Sequence, residues 1–163
     1  MNEAKGTALI TGASSGIGAL YADRLARQGY DLILVARNAT KLERVAQAIR
    51  KATGRQIDTL PADLVGPGDL RLIEARLANG RSITLLVNNA GIGSTARALD
   101  ADVDTMSAMV SLNVEALMRL TYAVVPAFVA RGRGTIVNIA SIVAVAPEVL
   151  NGVYGGTKAF VLA

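Results

Sequence analysis

Two rhythms of apolar residues alternate along this chain. Strand-like runs occur at TALIT (7–11), DLILVA (31–36), QIDTLP (56–61), ITLLVNNAG (83–91) and GTIVNIAS (134–141), several of them continuously apolar. Between them, apolar positions return every three or four residues, the spacing of one helical face. The pattern predicts a helix over 16–28, stopped by Gly29, and a second opened by a capping box of Thr40 and Glu43. The second carries Leu42, Val45, Ala46 and Ile49 on one face. Pro67 suits a first helical turn. A long amphipathic stretch covers about 101–131, and a last helix is expected from about Tyr154. Strands alternating with helices, several of them continuous apolar runs, read as a parallel sheet covered on both faces. No linker or low-complexity segment breaks the pattern, so 1–163 reads as one domain.

Composition narrows the class. Hydrophobic residues make up 52% and charged residues 18%, too apolar for a disordered chain. The uncharged segment 134–147 is too short and too polar to cross a bilayer. The first residues, MNEAKGTALITG, lack the basic and apolar regions of a signal peptide. A cytoplasmic protein without membrane partners is expected. Neither Cys nor His is present, which removes disulfides, thiolate nucleophiles, His-based triads and the common metal centres. Acid–base chemistry must then use Asp, Glu, Lys or Tyr. The net charge of +4 is scattered, and its tightest cluster, RGRG at 131–134, reads as a solvated turn rather than a nucleic-acid patch.

Two short stretches point to chemistry. TGASSGIG (11–18) lies where the first strand meets the first helix. Gly12 permits a tight turn, Gly16 a close approach of backbone to phosphate, and Gly18 a close packing of helix on sheet. Helix N–H groups and the positive end of the helix dipole then favour a pyrophosphate. The missing P-loop lysine disfavours nucleoside-triphosphate hydrolysis. Near the end, Tyr154 and Lys158 stand four apart, on one face of a helix. A Tyr hydroxyl titrates near 10, and a neighbouring ammonium stabilises the phenolate and eases proton exchange at neutral pH.

TGASSGIG, NNAG (88–91), Ser141 and YGGTK (154–158) occur in the order and at the spacings of the short-chain dehydrogenase/reductase family. The chain resembles that family from Lys5 onward. The resemblance implies a doubly wound α/β Rossmann sheet in the order 3-2-1-4-5, and an oxidoreductase moving a hydride between a nicotinamide cofactor and a carbonyl or secondary alcohol. It places Gly12, Ser14, Ser15, Gly16, Ile17 and Gly18 around the pyrophosphate. Asp63 and Leu64 fall at the adenine, and Asn89, Ala90 and Gly91 beside the adenosine ribose. Both Asn of NNAG also read as braces between strands. Tyr154 becomes the proton donor or acceptor, and Lys158 also holds the nicotinamide ribose. Ser141 would bond the substrate carbonyl. Asn113 would kink its helix so that a main-chain carbonyl holds a water relaying protons to Lys158. Homo-oligomers are expected from the same likeness.

The cofactor follows from the second strand. Ala36 stands where NAD-preferring relatives carry Asp, and Arg37 follows it. A small residue leaves room for a 2′-phosphate that a guanidinium can hold, so NADP(H) is expected. The mostly apolar segment 142–153 suggests an apolar ketone or alcohol. Family members continue past the Tyr–Lys pair, through a further strand and a substrate lid. The 163 residues therefore read as part of a longer enzyme. Taken literally, the length would instead suit a non-catalytic NADP(H)-binding module or regulator. A nucleotide-sugar epimerase fits less well, because those relatives use another glycine spacing and a larger substrate domain.

Overall fold

The computed structural model describes residues 5–146 and 152–163. Five parallel strands, β1 (Thr7–Thr11), β2 (Asp31–Ala36), β3 (Ile57–Pro61), β4 (Ile83–Asn88) and β5 (Thr135–Asn138), pair in the order β3-β2-β1-β4-β5. The helices are α1 (Gly16–Arg27), α2 (Ala39–Thr53), α3 (Pro67–Asn79), α4 (Val103–Val110), α5 (Leu117–Ala130) and α6 (Gly152–Leu162). The expected strand order is the one observed.

Side chains alternate between the faces of a strand, and here each face has its own core. Ala8, Ile10, Leu32 and Leu34 pack with Ala22 and Leu25 of α1 and with Leu42 and Ala46 of α2. Leu9, Ile33, Val35 and Leu86 pack with Leu70 and Ile73 of α3 and with Leu120 and Val124 of α5. Burial on both faces explains why the central strands are apolar at successive positions. Chain order runs outward from β1 through β2 to β3, then returns to β4 and β5. The reversal between β1 and β4 opens a crevice at the carboxyl ends of the strands.

Some boundaries differ from the sequence reading. The N-cap of α2 is Asn38, whose Oδ1 accepts from Lys41 N at 2.8 Å; Thr40 lies inside the helix. Glu43 does not reach back to a cap. It accepts from Arg50 Nη1 (2.7 Å) and Thr59 Oγ1 (3.1 Å), joining α2 to β3. β5 ends at Asn138, so Ser141 stands beyond it as the N-cap of a short 3-10 turn, Ile142–Ala144. α6 begins at Gly152 rather than at Tyr154.

The stretch over 101–131 is α4 and α5 joined by a π-helical turn, Ser111–Ala116. A π turn carries an extra residue and is frequent at functional sites. This one holds Asn113 in the interior, 1% exposed. Val103–Ala130 is long and apolar enough to cross a membrane. One face of it, with Leu120, Val124 and Phe128, packs on the sheet.

Candidate active site

A cavity of about 600 Å³ follows the carboxyl ends of the strands from β2 to β5, within the usual size of cofactor sites. Its floor is the loop between β1 and α1. Gly12 has φ +66°, and a Cβ there would lie 2.7 Å from Asn89 Nδ2. A Cβ at Gly18 would run into the Gly12 carbonyl and the same Asn89 amide. The two glycines thus let the start of α1 close onto β4. Gly16 takes a left-handed φ of +54°, lies outside the cavity lining, and has open space where a Cβ would stand. Its requirement is the backbone turn.

Ser14, Ser15 and Ile17 line the cavity. Ser15 is the N-cap of α1 but makes no side-chain cap bond, and the first turn holds no acidic residue. The positive end of α1 is therefore left open to an anionic ligand.

Asn89 braces this floor. Its Nδ2 donates to Thr11 O (2.9 Å) and Gly12 O (3.2 Å). Thr11 Oγ1 accepts from both Asn89 N and Ala90 N, each at 3.0 Å. Of the NNAG segment, Asn89, Ala90 and Gly91 line the cavity while Asn88 turns away. Asn88 Nδ2 donates to Asn138 Oδ1 (3.0 Å) and Thr121 Oγ1 (3.1 Å).

At the β2 end stand Ala36, Arg37, Asn38 and Lys41, facing Ala62, Asp63 and Leu64 from β3 onward. Neither Arg37 nor Lys41 has an acidic partner among the described residues. Asp63 is fixed by its neighbours: its N–H donates to Asp69 Oδ2 (2.8 Å) and its Oδ1 accepts from Val65 N (3.1 Å). Lys41 escaped the sequence reading. Its signal was a cation in the first turn of a helix, where the dipole disfavours it.

At the β5 end the cavity meets Ser141, Tyr154 and Lys158. Lys158 Nζ donates to Ile139 O at 2.7 Å, and the residue is 7% exposed. Burial pushes its ammonium below the usual Lys range, because leaving water penalises the charged form. Gly91 leaves room for this group: a Cβ there would sit 3.1 Å from Asn113 Oδ1 and 3.6 Å from Lys158 Nζ. The Tyr154 ring lies against Gly93, 3.3 Å from where a Cβ would be. Ser141 Oγ accepts from Val143 N at 3.5 Å.

Asn113 does not line the cavity. Its Oδ1 accepts from Ile92 N (2.9 Å), and its Nδ2 donates to Ile92 O (2.8 Å) and Thr157 Oγ1 (3.0 Å). Of the apolar segment 142–153, residues 147–151 lie outside the described residues. Ile142, Val145 and Val153 are exposed near the Ser141–Tyr154 end.

The arrangement suits a dinucleotide. It offers a glycine floor too close for side chains, a helix N-terminus without a side-chain cap, two cations with no acidic partner among the described residues at one end and a Tyr–Lys pair at the other.

Known proteins give the same picture. A very-long-chain 3-oxoacyl-CoA reductase-B of Danio rerio is 36% identical over 158 residues, covering 94% of this chain and 50% of that protein. The bulky-bulky ketone specific alcohol dehydrogenase of Comamonas testosteroni superposes with a TM-score of 0.94 at 46% identity, covering 96% of this chain and 63% of that one. A short-chain dehydrogenase of Sphingobium yanoikuyae, solved in complex with NADPH, gives 0.94 at 47% identity, with 96% and 62% covered. The chain spans about half the length of the curated relatives it matches. The short chain dehydrogenase description matches residues 6–163, nearly the whole sequence, and the chain belongs to that family.

Proposed function

We propose that the protein carrying this chain is an NADP(H)-dependent oxidoreductase that interconverts an apolar ketone and its secondary alcohol. The observation that carries the reading is the meeting of Ser141, Tyr154 and Lys158 in one cavity with Arg37 and Lys41. When bound, the dihydronicotinamide supplies the hydride. Gly12, Ser14, Ser15 and the open end of α1 would hold the pyrophosphate, and Asp63 and Leu64 the adenine. Arg37 and Lys41 would take the 2′-phosphate. Ser141 donates a hydrogen bond to the substrate oxygen, and Tyr154 gives it a proton as negative charge develops there. Lys158 would keep a positive charge beside the phenol and hold the ribose hydroxyls of the bound cofactor. In the alcohol-oxidising direction Tyr154 takes the proton back.

The NADPH and NADP complexes among similar structures support the phosphorylated cofactor. A homo-oligomer belongs to the same proposal, supported by Met118, Tyr122, Val125 and Val129, which expose one apolar face of α5. The same holds for a cytoplasmic location, supported by the packing of Leu120, Val124 and Phe128 on the sheet. The test is to measure NADPH and NADH affinity and the reduction of an apolar ketone with the full natural chain. NADPH should bind at least about tenfold tighter, and Ala36→Asp should reverse the preference by repelling the 2′-phosphate. Equal affinity of the wild type for both cofactors would remove the Arg37 and Lys41 assignment.

A further inference from the structure

Thr157 is 3% exposed, and its hydroxyl is engaged on both sides. It accepts from Asn113 Nδ2 at 3.0 Å and donates to Tyr154 O at 2.8 Å. Asn113 is in turn clamped by two bonds to the Ile92 backbone, in the loop after β4. One chain of bonds therefore runs from the β4 loop, through the π turn, to the turn of α6 that carries Tyr154. The next residue, Lys158, ties α6 to the end of β5 through Ile139 O.

We propose that Thr157 is a positioning residue for the Tyr154–Lys158 pair, a role that rests on the function proposed above. The orientation of this helical turn about its axis decides where the Tyr154 and Lys158 side chains stand in the cavity. The Thr157 hydroxyl fixes that orientation by linking the Tyr154 carbonyl to an amide that has no slack of its own. It also explains the use of the π turn, whose extra residue turns Asn113 inward to meet Thr157. The hydroxyl lies away from the cavity lining, so its loss acts on the reacting geometry and leaves the phosphate and adenine contacts in place. Small misplacements of a reacting group cost large factors in rate.

The experiment uses the full natural chain with Thr157→Val, Thr157→Ala and Thr157→Ser. NADPH affinity, kcat and KM for one apolar ketone, and the pH dependence of kcat are measured for each. Val and Ala both lack the hydroxyl, and at least Ala, a good helix former, should fold. The expected result is NADPH affinity within about threefold of wild type and kcat lowered by about tenfold to a hundredfold. The pH profile should shift in both, and Ser should restore kcat to within about threefold. Val and Ala variants within about twofold of wild-type kcat would overturn the proposal, as would a Ser variant as slow as Ala. A wild type that binds NADPH but turns over no ketone overturns the functional reading, and this inference with it. An active wild type with unaffected variants overturns the inference alone.

Discussion

At the scale of single residues, Lys158 shows the conflict between site and stability. Its ammonium is buried at the cavity wall, and burial lowers its pKa. The folded chain therefore releases the proton at lower pH than the unfolded chain does. Between the lowered folded value and the ordinary Lys value, the unfolded state binds more protons, so stability rises with pH across that window. Below it the cost of the buried charge is fully present. Lys158→Met should raise the melting temperature of the ligand-free protein at pH 7 and flatten the rise seen in the wild type toward pH 10. The same variant should lose NADPH affinity, and thermal unfolding with and without NADPH reads both effects. A ligand-free melting temperature lowered by the substitution would mean that the Ile139 contact outweighs the burial cost. Tyr154→Phe should separate from this, keeping NADPH affinity while kcat drops by about 10² or more. Near-normal kcat would take the proton-transfer role from Tyr154. These two residues were legible because four positions on a helix make one face and because the glycine loop and Ser141 precede them in the order of a known family. Thr11 and Thr157 were not legible. Their partners lie 78 and 44 positions away in the chain, at Asn89 and Asn113, and no local spacing announces such pairs.

At the scale of elements, β1, β2 and β4 were readable because burial on both faces leaves apolar runs. β3 and β5 are less buried and more polar, and the strand order came with the family resemblance. The helix ends were less readable, since several nearby polar residues compete for each cap. Thr40 with Glu43 satisfies the capping-box pattern, yet Asn38 presents its oxygen to Lys41 N first, and Glu43 is drawn to Arg50 and Thr59. The distinction is testable. Asn38→Ala should cost about 1 kcal/mol of stability, whereas Thr40→Ala should change it by less than about 0.5 kcal/mol. Chemical denaturation of both variants decides between them, and a larger loss at Thr40 would reinstate the capping box. Arg37 and Lys41 flank this cap, so Asn38→Ala should also weaken NADPH binding more than NADH binding. The π turn was invisible to periodicity, because one extra residue in a long amphipathic stretch shifts the apolar face without breaking it.

At the scale of the whole molecule, the cavity joins the two halves of the sheet, with Arg37 and Lys41 at the β2 end and the Tyr–Lys pair at the β5 end. A ligand filling it stabilises the native state by mass action, about 2.7 kcal/mol at a hundred times its dissociation constant. NADPH and NADH differ only by the 2′-phosphate, so the difference between their effects isolates the β2 end. Arg37 and Lys41 are exposed, and attraction between exposed charges is screened by salt, with a Debye length near 10 Å at 0.1 M. At fixed nucleotide concentration, the extra thermal stabilisation by NADPH over NADH should shrink as salt rises from about 0.05 to 0.5 M. It should vanish in Arg37→Ala/Lys41→Ala at any salt, while stabilisation by NADH stays near that of the wild type. The single variants show whether the two cations act together. If Lys41→Ala alone leaves the NADPH increment intact, Arg37 holds the phosphate without it. If the double variant loses stabilisation by both nucleotides equally, the charges shape the cavity as a whole and the 2′-phosphate must be read elsewhere.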